Sequence, residues 1–237
     1  FGEQSFLDSA VKACEAILYL SSARSSGLFH ACKSGTPYID AFFEDYSFFI
    51  SSLISVFEAS GNSTFLEAAE QLTAEAMDKF LDKDLSLFYE TPGNDSRIRR
   101  TINAVETTVP SSNSVMAENL SMISRLTGNT LYSETSDSMI AAMKPEVLKN
   151  PVYHSNWLFQ SARELYPLFE ITVTGPNAAN ISSELQSEFI PGSVHSFSVQ
   201  PGENRITVCR NKSCSLPVST AAEALKLLKP SGILLGR

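Results

Sequence analysis

Glu44 and Asp45 stand side by side in the run Phe42-Phe43-Glu44-Asp45-Tyr46, and a third carboxylate, Glu106, lies sixty residues further on, ahead of Pro110-Ser111-Ser112-Asn113-Ser114. A pair of carboxylates, one acid and one base or nucleophile about 5 to 9.5 Å apart, is what glycoside hydrolysis requires. Asp45, Glu44 and Glu106 are therefore the candidate acid/base groups. Tyr46, Ser112, Asn113, His154 and Trp157 are of the types that orient a polyhydroxylated ligand, by hydrogen bonds or by an aromatic platform. Structural roles compete for each of them. Asp45 and Ser112 are good helix N-caps, and Glu44 suits a first-turn carboxylate held by the helix dipole. Glu106 can be a surface charge, His154 a satisfied half-buried imidazole, and Trp157 a core residue. Tyr89 and Phe88 either line the site or pack a hairpin. Arg97, Arg99 and Arg100 form a short basic run, read as a solvated face or an anion clamp.

Other chemistries are poorer fits. Epimerisation beside a carbonyl needs two opposed acid/base groups, and only His154 is placed for that. His30, His154 and His195 have no metal-ligand spacing, so no metal and no cofactor are expected. Cys209 and Cys214, in VCRNKSCSLPV, have four residues between them. Zinc would need two more ligands. A redox pair is one reading and two structural thiols the preferred one.

An internal repeat must position these groups. SVFEASGNSTFLEAAEQL (55–72) aligns with SRLTGNTLYSETSDSM (124–139) on a shared Gly-Asn, and GEQSFLDSAVKACEAI (2–17) aligns with 61–77. In the copies at Gly61 and Gly128 a helix ends at the glycine, which suits a left-handed C′ position, and in every copy a helix follows it. Residues 42–59 and 114–127 are the more apolar and read as inner helices; 64–81 reads as outer. A last inner-type helix spans about 152–166. Long connections, 27–40 and 85–113, read as extended hairpins or loops leading into the inner-helix starts. Those starts therefore share one end. The register makes Asp45 equivalent to Ser112 and Tyr46 to Asn113. The copy opening at Gly2 has an outer helix with no inner helix before it. The natural protein is thus expected to extend toward the N-terminus, or the chain to cover that apolar flank by self-association.

From Phe169 the period changes to strand, helix (177–189), strand (193–199), strand (204–210) and a last helix. Thr220 and Glu223 form a capping box that opens this helix, which runs to about Lys229. The expected fold is mainly α: part of a toroid of helical hairpins over 1–167, then a small α/β domain over 168–237.

The formal net charge of −8 argues against nucleic acid or an anionic membrane as partner. No apolar run reaches the length of a transmembrane helix, about 18 residues. Four cysteines in 237 residues are no disulfide framework. The Asn-x-Ser/Thr sequon at Asn119 falls inside a packed helix. The expected compartment is the cytoplasm or an organelle lumen.

FFEDYSF (42–48), the Gly-Asn turn at 61–62, VPSSNSV (109–115), LTGN (126–129) and VCRNKSCSLPV (208–218) together resemble, in order and over almost the whole chain, one family. It is that of the thioredoxin-domain proteins related to spermatogenesis-associated protein 20. Two positions depart from its pattern: Ser112 stands where the family has Gly, and Glu106 where it has Asp. The resemblance implies that the helical part is a partial (α/α)6 toroid of the N-acylglucosamine 2-epimerase type, with an upstream thioredoxin-like domain and the first part of the toroid absent here. By fold analogy with six-hairpin glycosidases and epimerases it implies a carbohydrate ligand. The function expected is a carbohydrate-binding or carbohydrate-active toroid. The alternative is a non-catalytic scaffold or interaction module linked to the upstream redox domain, its polar residues serving as caps.

Overall fold

Two glycines carry the repeat into three dimensions. Gly61 and Gly128 take φ of 68° and 77°, the left-handed region that closes a helix without a Cβ penalty. Each following asparagine then caps the next helix: Asn62 accepts from the Thr64 N–H at 3.1 Å and Asn129 from the Leu131 N–H at 3.2 Å. Gly-Asn is thus a stop and a start in two residues.

The structure, a computed structural model, describes residues 3–24, 27–93, 100–166, 168–190, 192–210 and 213–228. By internal contacts the chain divides into two units. One comprises Gln4–Phe57 and Asn62–Glu164; the other comprises Phe1–Glu3, Glu58–Gly61 and Leu165–Arg237. The Pro167 boundary expected from the sequence lies outside the described residues.

The first unit is helical. Helix α1 (Gln4–Ser22) is followed by a hairpin of β1 (Phe29–Lys33) and β2 (Thr36–Asp40), paired antiparallel with Phe29 opposite Asp40. Helices α2 (Phe43–Ser60) and α3 (Ser63–Phe80) form the first complete hairpin. The short strands β3 (Leu81–Asp82) and β4 (Leu87–Phe88) come next. They lead toward α4 (Ser112–Thr127) and α5 (Thr130–Lys149), and a 3-10 turn at Pro151–Tyr153 precedes α6 (Ser155–Leu165). Of the connection read as extended over 85–113, only Leu87–Phe88 is strand among the described residues.

Helices α2 and α4 carry the core. Ile50, Leu53, Ile54, Met116, Leu120 and Ile123 are all fully buried, which at about 25 cal/mol per Å² of apolar surface is the main stabilising term. In α1 only Cys14 is buried, while Phe6 and Tyr19 are 65% and 76% exposed. Buried polar bonds fix how the helices pack. The Asn119 side-chain amide donates to Ser47 O at 2.7 Å, tying α4 to α2, and the Ser136 hydroxyl donates to Ala117 O at 2.7 Å, tying α5 to α4. Asn119, 1% exposed, is closed to a glycosyl group.

The second unit is a small α/β sheet with the expected order of elements and one short addition. Strands β5 (Phe169–Gly175), β6 (Ser193–Val199), β7 (Arg205–Arg210) and β8 (Ser213–Cys214) lie in the order β6-β5-β7-β8. The β5–β6 pair is parallel and needs a crossover, which α7 (Ala178–Ser187) supplies. The other pairs are antiparallel. Ile171, Val173, Leu185, Ile206 and Ala224 form the core. The capping box opens α8 (Ala221–Leu228): Glu223 N–H donates to Thr220 Oγ1 at 3.3 Å, and Thr220 N–H to Glu223 Oε2 at 3.2 Å. The Thr220 hydroxyl, donating to Glu223 Oε2 at 2.9 Å, together with the Ser219 and Thr220 N–H groups, holds the Glu223 carboxyl below its ordinary pKa. His195 is buried beside Ser193, Nε2 to Oγ 2.8 Å, and burial pushes its pKa down to about 4. The fold is therefore mainly α with a small α/β part. No helix among the described residues is long and apolar enough to cross a membrane.

Candidate functional site

The polar helix starts of the helical unit are linked to one another by a chain of hydrogen bonds. Glu90, just after β4, holds the first link. Its carbonyl accepts from Phe43 N–H at 3.0 Å at the start of α2. Its carboxylate receives the Ser112 hydroxyl at the start of α4 and bonds the backbone of Glu44. The Asn156 amide of α6 donates to Ser114 Oγ of α4 at 3.0 Å. Asp45, Asn113 and His154 thus belong to one end of the unit.

Within that end, two of the expected residues face solvent. Glu44 is exposed and Asp45 partly so; both line an open groove of about 430 Å³ with His30, Phe48, Phe49 and Ser52. His30, a residue the sequence reading did not select, completes the site. Its Nδ1 lies 3.0 and 2.9 Å from the two Asp45 carboxylate oxygens. An ionised Asp45 only accepts, so the Nδ1 facing it is the protonated, donating nitrogen. Asp45 also accepts from Phe42 N–H at 2.8 Å, the N-terminal bond that fixes its rotamer. The Phe42 ring meets the imidazole edge-on at 5.0 Å. A carboxylate that holds one imidazole nitrogen protonated leaves the other poised to accept or deliver a proton.

Glu90 was missed as well. Burial, and the neighbouring Glu44 and Asp45 charges, push its carboxyl above the ordinary glutamate value against the opposing Ser112 bond. The signal for both residues was positional. Each sits in the connection that leads into an inner helix, so topology alone brings it to that helix's start.

The remaining expected residues have internal duties. Glu106, expected as a catalytic carboxylate, is 7% exposed and caps α6. It accepts the Asn156 N–H at 2.9 and 2.8 Å, the Ser155 hydroxyl at 2.6 Å and the Trp157 N–H at 3.3 Å. Trp157, expected as a ligand platform, is wholly buried with its indole N–H on Ala104 O at 3.0 Å. Asn113 is buried and clamps the end of β4, accepting from Phe88 N–H at 2.8 Å and donating to Phe88 O at 2.9 Å and Asn103 O at 3.0 Å. Tyr46 is buried and donates to Glu75 at 2.6 Å, with Lys79 beside both. Burial and the Glu75 carboxylate raise its pKa. His154 is buried with Nδ1 on Asn150 O at 2.8 Å. Ser112 is buried against Glu90; the N-cap of α4 is its neighbour Ser111, which accepts from Ser114 N–H at 3.2 Å. In this structure these five residues are engaged in packing, capping and internal hydrogen bonds.

Arg97 and Arg99 lie outside the described residues. Arg100 stacks over Tyr89 at 3.9 Å and donates to Thr91 O at 3.0 Å. Cys209 and Cys214, preferred above as two thiols, are joined by a disulfide. The physical reason is register: they sit directly opposite one another on β7 and β8. Among the described residues no group of three or more His, Cys, Asp or Glu could hold a metal ion.

Comparison with known proteins bears out the resemblance carried by the sequence motifs. The chain is 25% identical over 248 residues to spermatogenesis-associated protein 20 of Homo sapiens, covering 90% of this chain and 31% of that protein. It is 28% identical over 241 residues to the Rattus norvegicus protein of that name and 27% over 245 residues to the Mus musculus one. The chain spans about 30% of the length of these curated relatives. No family model matches it.

Proposed function

We propose that this chain, a distant relative of spermatogenesis-associated protein 20, contributes the ligand-facing end of a helical-hairpin toroid that binds a carbohydrate. His30, Asp45 and Glu44 are its proton-handling groups. One observation carries the reading. Among the polar residues gathered at the helix starts, the His30–Asp45 pair and Glu44 are the ones left facing an open groove. The groove combines the aromatic rings of Phe48 and Phe49 with carboxylates and an imidazole, the mixture of apolar surface and convergent polar groups that a sugar face and its hydroxyls require. In acid–base terms Asp45 keeps Nδ1 protonated and Nε2 takes a proton from a ligand hydroxyl or a water. Glu44, exposed on the same groove, is the carboxylate placed to return one.

The test is calorimetric titration of the full natural chain with a panel of neutral mono- and disaccharides, repeated on D45N and H30Q. Binding weakened at least about tenfold in both variants, a loss of about 1.4 kcal/mol, with unchanged melting temperature, supports the site. Equal binding in wild type and variants removes Asp45 and His30 from it, and no binding to any sugar removes the carbohydrate reading. The scaffold reading has its own support. Glu106, Asn113, Ser112, Tyr46, His154 and Trp157 are all consumed by internal bonds, as a module with a merely structural polar end would have them.

A further inference from the structure

We infer that Cys209–Cys214 is a reversible thiol–disulfide exchange site, taking a dithiol as its reductant, on the open edge of the α/β sheet. The bridge joins directly opposed residues of β7 and β8, and β8 is the edge strand. Cys214 is exposed and Cys209 half-buried, so an incoming thiolate reaches Cys214 Sγ first.

The bridge closes only a short loop. It spans a sequence separation of 5 residues, and a cross-link stabilises chiefly by restricting the unfolded chain, more for long loops than for short ones. The strands it joins are already tied on the core side of the cysteines. Ser215 N–H donates to Val208 O at 2.9 Å, while Ile206 and Val218 exchange backbone bonds of 2.7 and 3.0 Å. Ile206 is fully buried and Val208 nearly so. Opening the bridge therefore leaves β7 in the sheet and keeps the two sulfurs opposite each other. Reclosure is then an intramolecular step between held partners, which raises its rate.

The chemistry balances without further reagents. A thiolate of the dithiol attacks Cys214 Sγ, the Cys209–Cys214 bond breaks, and Cys209 leaves as thiolate. The second thiol of the reductant then attacks the mixed disulfide and releases Cys214. The dithiol ends as a disulfide, two electrons have passed to the bridge, and the two protons reside on Cys209 and Cys214. Cys14 is buried and Cys32, though exposed, has no disulfide partner, so neither competes for this step.

The experiment uses the full chain carrying Cys32→Ser, so that the exposed free thiol gives no background. Dithiothreitol is added under native conditions, free thiols are alkylated and counted by mass spectrometry, and circular dichroism is followed in parallel. The expected result is alkylation of both cysteines with an unchanged spectrum, and recovery of the bridge on adding oxidised glutathione. A bridge that opens only in denaturant, or whose opening unfolds the α/β unit, marks a structural staple and overturns the inference. A second arm fixes the attacked sulfur. C209S should form a mixed disulfide with oxidised glutathione, releasing one glutathione thiol, about tenfold faster than C214S, because exposure governs access; equal rates overturn the assignment to Cys214.

Discussion

A carboxylate that bonds a helix start can cap or titrate, and Glu106 and Glu90 separate by their partners. Glu106 is spent on α6: two backbone N–H groups and a hydroxyl converge on it in a buried setting. Glu106→Ala should cost about 2–3 kcal/mol, since buried donors lose a charged acceptor, and Glu106→Gln should cost less. Urea unfolding checks both; a change within about 0.5 kcal/mol would instead mark an idle surface charge. Glu90 titrates. Its folded pKa is raised above the ordinary 4.5, so the folded chain holds that proton to higher pH than the unfolded chain does. Stability from this group is present at low pH and falls as pH rises from about 4.5 through the folded value. Glu90→Gln keeps a partner for Ser112 and removes the charge. The unfolding free energy of E90Q relative to wild type should therefore rise between pH 4.5 and 7. A constant difference would contradict the raised value.

At the scale of the element, the Gly-Asn turn was legible because its physics is local. A glycine free to take positive φ and an asparagine able to accept from the second residue beyond fix a helix end and a helix start with no help from tertiary structure. Gly128 tests this cleanly. Its φ is 77°, its N–H reaches Ser124 O at 2.8 Å, and an added Cβ meets nothing within 4 Å. Gly128→Ala should therefore cost only the left-handed backbone term, about 1 kcal/mol, measured by denaturant midpoint. A neutral substitution would mean that α4 does not end in this turn. The capping box of α8 was readable for the same reason. The loops were not. Whether Ser112 meets a ligand or Glu90 depends on where residue 90 travels, and no local spacing encodes that. Polar residues were placed at the correct end of the helices, but their burial was invisible, since burial is settled by neighbours distant in sequence.

For the whole molecule, the repeat register did most of the predictive work. It led to the hairpin order, the more buried α2 and α4, and the linked helix starts, while the change of period at Phe169 led to the α/β part. What periodicity cannot supply is which of several equivalent polar clusters is left open, and here it is the first, completed by a histidine from β1. The β7–β8 disulfide was equally hidden, because pairing register rather than cysteine spacing puts the sulfurs together. The central claim is that the His30–Asp45 pair meets a sugar. Its most direct test is ¹⁵N NMR of the His30 ring while the tightest-binding saccharide is added. Nε2 should shift on binding while Nδ1 stays protonated against Asp45. A His30 ring untouched by a sugar that binds elsewhere on the chain would contradict it.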